Sequence, residues 1–139
     1  MPASWSSIQT TVIRLLPEMD LKSQLIRFAN DHQLHAAAVI SAVGSLSQVS
    51  LRFANRPEAS LLRGKHEIVS LSGTLSLNGI HLHMSVADSD GKVSGGHVMP
   101  GSIVYTTAEI VIAKFDSLSF TREPCTLSGF RELVVKSNT

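Results

Sequence analysis

Glycine-bearing turn pairs recur through the second half of this sequence, at Asn78-Gly79, Asp90-Gly91 and Pro100-Gly101, and each separates two runs that read as short strands. Asn-Gly and Asp-Gly suit the tightest hairpins, because both central residues of the favoured turn need positive φ. A chain punctuated in this way is constrained to fold back on itself as antiparallel strands. The expected strands are residues 65–76, 80–87, 92–98, 103–115 and, after Asp116-Ser117, 117–122, with 129–136 as a last strand.

The first half reads differently. Residues 7–16 alternate and carry Ile8, Thr10, Thr11, Val12 and Ile13, the composition of a half-buried strand, which Pro17 ends. From Asp20 the apolar period becomes helical: Leu21, Leu25, Phe28 and Ala29 share one face, while Lys22, Arg27 and Asn30 face water and Asp20 caps the free amides. One helix is predicted over 20–32. Residues 36–43 then read as a buried strand and 48–54 as its neighbour, joined by a tight connection at Gly44-Ser45, with 55–64 as a loop. The whole predicts an α+β fold, a mostly antiparallel sheet or open barrel with one main helix over one side. At 139 residues and 43% apolar content, residues 1–139 suit a single domain with one core.

Charge limits the partners. Lys and Arg total 12 against 11 for Asp and Glu, too even a balance to draw in a polyanion without a local patch. The one concentration of positive charge is Arg52, Arg56, Arg63 and Lys65, a candidate contact for DNA or another anion. Its plainer reading is a solvated loop offset by Glu58 and Glu67, and Phe53 is the sole nearby ring that could stack on a base. Cys125, the only cysteine, excludes an intrachain disulfide and reads as a small semi-buried hydrophobe. Residues 1–7 lack the basic and apolar regions of a secretory signal, and the longest apolar-rich stretches are far short of the roughly 20 residues that span a bilayer. Cytoplasmic residence and no membrane partner are expected. Gly95-Gly96 lacks the remaining residues of a phosphate-binding loop, and no nucleophile elbow marks a hydrolase.

The densest chemistry lies between residues 81 and 97. On a strand over 80–87, Ile80, Leu82, Met84 and Val86 point one way and His81, His83, Ser85 and Ala87 the other. Two imidazoles roughly 6.5 to 7 Å apart along a strand can both reach one divalent ion. The hairpin through Asp88-Ser89-Asp90-Gly91 returns His97 toward the pair, and three neutral imidazoles would leave a coordination position open for water or a ligand. The same pattern also describes a polar strand face bonded to carboxylates or to another subunit. Glu67 and Glu109 sit in otherwise apolar strands and are candidates either to orient a metal-bound histidine, with Glu67 also a candidate general base, or equally to form a surface or interface salt bridge. His66, on the opposite strand face from Glu67, is a fourth ligand at most, and His32 and His35, after the helix, are read as structural.

Taken together, His81-Leu82-His83-Met84-Ser85-Val86-Ala87-Asp88, the run from Asp90-Gly91 to Gly95-Gly96-His97, Glu67 through Gly73, Val43-Gly44-Ser45, Arg14-Leu15-Leu16-Pro17 and Phe28-Ala29 stand in the order found in one family. Over residues 11–115 the sequence resembles the PPC domain (plants and prokaryotes conserved). The resemblance implies an α+β domain that forms a homotrimer, with its histidine-rich stretch near the subunit contacts and, in prokaryotic members, suited to metal; for three imidazoles a divalent ion such as zinc is the candidate. In plants such domains follow AT-hooks in nuclear proteins, and prokaryotic relatives are labelled DNA-binding for that reason. The AT-hook core Arg-Gly-Arg-Pro is absent here, Arg63-Gly64-Lys65 and Arg56-Pro57 being the nearest approaches. The expectation is therefore a homotrimeric module that binds a metal at His81, His83 and His97, or a small ligand, in a DNA-associated regulatory role. Its rivals are direct DNA binding through the loop arginines and a metal-dependent enzyme working at an open three-histidine site.

Overall fold

The fold is given by a computed structural model that describes residues 1–138. Nine elements follow one another: β1 (Ile8–Leu15), α1 (Leu21–Asp31), β2 (Ala37–Arg52), β3 (Ser60–Ser76), β4 (Gly79–Ala87), β5 (Val93–Val98), β6 (Ile103–Phe115), β7 (Leu118–Pro124) and β8 (Arg131–Ser137). Six strands form one antiparallel sheet in the order β1-β6-β2-β3-β4-β5, and β7 and β8 pair separately. The large sheet coils until β5 meets β2, through Leu51 opposite Val98 and Arg52 opposite His97. Strands β2 to β5 thus close into a small barrel, with β6 and β1 continuing from its side.

Asp20 both starts the helix and ties it to the sheet. One carboxylate oxygen accepts from the Ser23 amide at 2.9 Å, the other from the Gly101 amide at 2.6 Å. Leu21, Leu25 and Ala29 are buried on the inner face of α1 and join Leu46, Val49, Leu51, Leu75, Leu82, Val86 and Ile110 in the main core. Each fully buried leucine contributes about 1.5–3 kcal/mol relative to an exposed one, so this packing outweighs the weak local preferences of an 11-residue helix. A smaller cluster of Ala36, Leu118 and Phe120, with Phe115 against it, anchors the β7–β8 hairpin to the sheet. No helix among the described residues is long and apolar enough to cross a membrane.

Three expectations are corrected. Residues 36–43 and 48–54 do not form two strands around a tight connection; β2 runs unbroken past Gly44. Glycine is needed there because a Cβ would collide with the Thr107 carbonyl of β6, and the residue takes φ +152° where the register shifts between Gly44 and Leu46. The loop ends earlier than residue 64, since Leu61, Leu62 and Arg63 pair with Ser50, Val49 and Gln48, and Leu62 packs against the core. Strand β1 is not half-buried: only Leu15 is buried and Ile13 partly so, because β1 is an edge strand with its outer face uncovered.

Candidate metal centre

Strand β4 alternates as its sequence demands. Leu82, Met84 and Val86 enter the core, while His81 and His83 stand exposed on the other face. The β4–β5 register sets His97 directly opposite His83. That placement depends on Gly95-Gly96, which lets β5 wedge between β4 and β2. A Cβ on Gly96 would come within 2.7 Å of the Arg52 carbonyl oxygen, and one on Gly95 within 3.1 Å of the Met84 oxygen. The wedge also sets Arg52 opposite His97.

The three imidazoles converge. The Nε2 atoms of His81 and His83 are 3.2 Å apart, and the three ring centroids are separated by 5.0, 5.2 and 5.8 Å. One nitrogen from each ring lies within 4.8 Å of the other two. Metal–nitrogen bonds of about 2.0–2.1 Å in a tetrahedron put ligand atoms about 3.3 Å apart. The His81–His83 pair already has that edge, and His97 offers its nitrogen within 4.8 Å of both. At 3.2 Å one ring N–H can donate to the other ring, or both lone pairs can face one cation.

Burial and neighbouring cations oppose protonation of His97 and His81. Burial pushes His97 down from the ordinary 6.5 to about 4, helped by Arg52, Lys22 and the other two histidines. His81 is also lowered, first by burial and then by His83 and Arg122, with Glu132 acting the opposite way. The unfolded chain takes up a proton at His97 near 6.5, whereas the folded chain resists it until about 4. Protonation therefore favours the unfolded state within that window. Metal-free protein is expected to lose stability as pH falls from about 6.5 toward 4, and to gain nothing from this group above 6.5. Melting temperatures measured across that range check it, with His97→Gln flattening the slope.

A cavity of about 1120 Å³ opens in front of the histidines, and Arg52, Arg56, Arg122, Arg131 and Glu132 line it along with the three rings. Of the four basic candidates, only Arg52 and Arg56 reach this cavity. Arg63 is opposite Gln48 on β3, and the Lys65 ammonium sits 4.2 Å above the Tyr105 ring. Glu67 is opposite Ala87, five residues before Ser72, the partner of His83. That is about 16 Å along the strand, so the structure does not bring Glu67 to the histidines. Glu109 lies opposite Arg14 and Val43 on the far side of the sheet. His66 is opposite Leu46, its Nδ1 2.9 Å from the Gly64 oxygen. His32 packs on Phe28 with ring centroids 4.3 Å apart, and the His35 carbonyl accepts from the Phe120 amide.

The acid beside the histidines is Glu132, from β8, and with Arg122 of β7 it borders a second, smaller cavity of about 270 Å³ beside His81 and His83. Arg122 is held there by a 3.1 Å bond from Nη2 to Thr74 Oγ1, and an Arg131 guanidinium nitrogen donates to the Arg122 carbonyl. Sequence reasoning placed Arg122 on a strand and missed its position beside the histidines. No local pattern tells which part of the sheet the hairpin will cover.

The pattern of the Plants and Prokaryotes Conserved (PCC) domain matches residues 3–116. A bifunctional protein GlmU from Synechococcus sp. (strain JA-3-3Ab) is 47% identical over 135 residues, which are 97% of this chain and 22% of that protein. The chain thus spans about a fifth of the length of the curated relatives it matches first. A hypothetical protein from Salmonella cholerae-suis (Salmonella enterica) superposes with a TM-score of 0.96 at 43% identity, covering 98% of this chain and 99% of the other. A metal-containing protein from Archaeoglobus fulgidus shares the fold, with a TM-score of 0.79 at 24% identity over 96% of this chain and 99% of its own. With the match running through β1 to β6 and every histidine of the triad inside it, the chain belongs to the Plants and Prokaryotes Conserved (PCC) domain family.

Proposed function

We propose that this chain is a homotrimeric metal-binding module in which His81, His83 and His97 hold one divalent cation, zinc first, in the service of a DNA-associated regulatory role. The observation that carries the metal reading is the convergence of three imidazole nitrogens within 4.8 Å, two of them already at a tetrahedral edge. The structural similarity to a metal-containing protein of Archaeoglobus fulgidus supports it. Three protein ligands leave a fourth position for a small molecule. Elemental analysis of protein purified without a histidine tag is expected to find about one zinc per chain, or uptake of that amount on titration. No bound metal together with no uptake would remove the site.

Trimer formation draws support from the outer face of the β1-β6-β2 sheet. Register aligns Val12 with Val111 and Arg14 with Glu109 and Val43, and Val12 and Val43 are 66% and 59% exposed. Exposed β-branched residues on neighbouring strands are the surface a second copy can cover. Val43→Glu, which adds a carboxylate beside Glu109, is expected to convert a trimer to monomers in light scattering; a wild-type monomer would contradict the assembly. Direct DNA binding by the four basic residues is less well served, because Lys65 is engaged on Tyr105 while Arg52 and Arg56 line the histidine cavity.

A further inference from the structure

We infer that the cavity before the histidines receives a small organic dianion, whose oxygens are shared between the cation held by the triad and the guanidinium groups of Arg52 and Arg122. The inference rests on the metal reading above for the cation, and on a separate set of residues for the anion.

Four arginines, Arg52, Arg56, Arg122 and Arg131, line the cavity against one acid, Glu132. Among the described residues the two ion pairs, Arg27 with Asp31 and Lys136 with Glu123, lie elsewhere, so none of the four is neutralised by a carboxylate within 4 Å. Such a concentration of uncompensated guanidinium groups beside a dication would be repulsive unless an anion joins it. Position then selects two of the four. Arg52 faces His97 across β2 and β5, and Arg122, steadied by Thr74, shares the smaller cavity with His81 and His83. The planar fork of a guanidinium matches the paired oxygens of a carboxylate.

The walls give the rest of the ligand. Phe53, Ile80 and Phe130 add apolar surface to the same cavity, which suits a carbon skeleton better than a bare inorganic ion. A charge of minus two answers the surplus of arginines over Glu132 more fully than a single carboxylate. Arg122, Phe130, Arg131 and Glu132 belong to the β7–β8 hairpin region, beyond residue 116, so this half of the cavity lies outside the stretch that the family pattern matches.

The test is calorimetric titration of the zinc-loaded and zinc-free chain with succinate, its neutral diamide and inorganic phosphate. Succinate is expected to saturate the zinc-loaded chain, with the diamide silent and phosphate weaker. Arg52→Gln and Arg122→Gln should each weaken succinate at least about tenfold, while Lys65→Gln, on Tyr105, leaves it unchanged. Melting curves of the variants confirm that they fold. A chain that takes up zinc yet gives no saturable heat with succinate overturns the anion site and leaves the metal reading standing. Equal binding of the diamide or of phosphate, or indifference to both arginine variants, overturns it as well. If no zinc is taken up, arginine-dependent succinate binding to the bare chain still upholds the anion site while the metal reading fails.

Discussion

Replacing His83 by alanine is expected to weaken zinc binding by at least about a hundredfold while leaving the fold intact. Loss of an outer partner that merely orients a ligand already costs 10- to 100-fold in metal affinity, and His83 would be a ligand itself. It is central to the triad: its Nε2 is 3.2 Å from that of His81, and its backbone is opposite His97. Without it, two imidazoles define a single edge of the tetrahedron and the cation falls back on water. The ring is exposed, so its truncation opens no core cavity, and the stability change of the metal-free chain should stay within about 0.5 kcal/mol. Competition against a chromophoric zinc indicator measures the affinity. Thermal melts give a second reading, because zinc at a hundred times its dissociation constant stabilises a folded chain by about 2.7 kcal/mol and the variant should lose that gain. His66→Ala, on a ring already bound to the Gly64 carbonyl, is the matched control. Unaltered affinity in His83→Ala would take this residue out of the centre.

The parts of the site that were legible in the sequence are those governed by local rules. Alternation along β4 separates His81 and His83 from Leu82, Met84 and Val86 because a strand has period two, whatever lies around it. The Asp-Gly turn limits how far β5 can slip, so His97 falls opposite His83. The less legible features depend on contacts between distant segments. Gly44 looks like a turn residue, but it lies in mid-strand under the Thr107 carbonyl, and nothing near residue 44 tells of a neighbour in β6. Likewise Glu67 seemed close to the histidines by chain order, yet strand geometry carries it about 16 Å from them, while Glu132, almost fifty residues past His83, arrives through the fold of a hairpin. The basic cluster Arg52, Arg56, Arg63 and Lys65 divides for the same reason, since β2 and β3 send its members to different surfaces.

Gly73→Ala is expected to destabilise the metal-free chain by more than about 3 kcal/mol, among the largest losses a single methyl group can cause here. Gly73 lies in β3 between two partners, opposite Val39 on β2 and Leu82 on β4, so the strand cannot bow outward without parting from one of them. Its φ of +142° is one that L residues rarely adopt, and an added Cβ would overlap the carbonyl oxygen of His81 and approach the Leu82 Cα to 2.9 Å. The obstacle is backbone, which has no rotamer with which to give way. Gly91 separates the two penalties: it also has positive φ, at +77°, but a Cβ there meets nothing within 4 Å. Gly91→Ala should therefore cost only the backbone penalty of about 1–2 kcal/mol. Urea denaturation of both variants gives the comparison, and a loss at residue 73 no greater than at residue 91 would mean that the sheet accommodates the methyl group. Because the displaced segment carries His81, the first variant should also bind zinc more weakly than the second, which ties the packing beneath β4 to the geometry of the centre on its outer face.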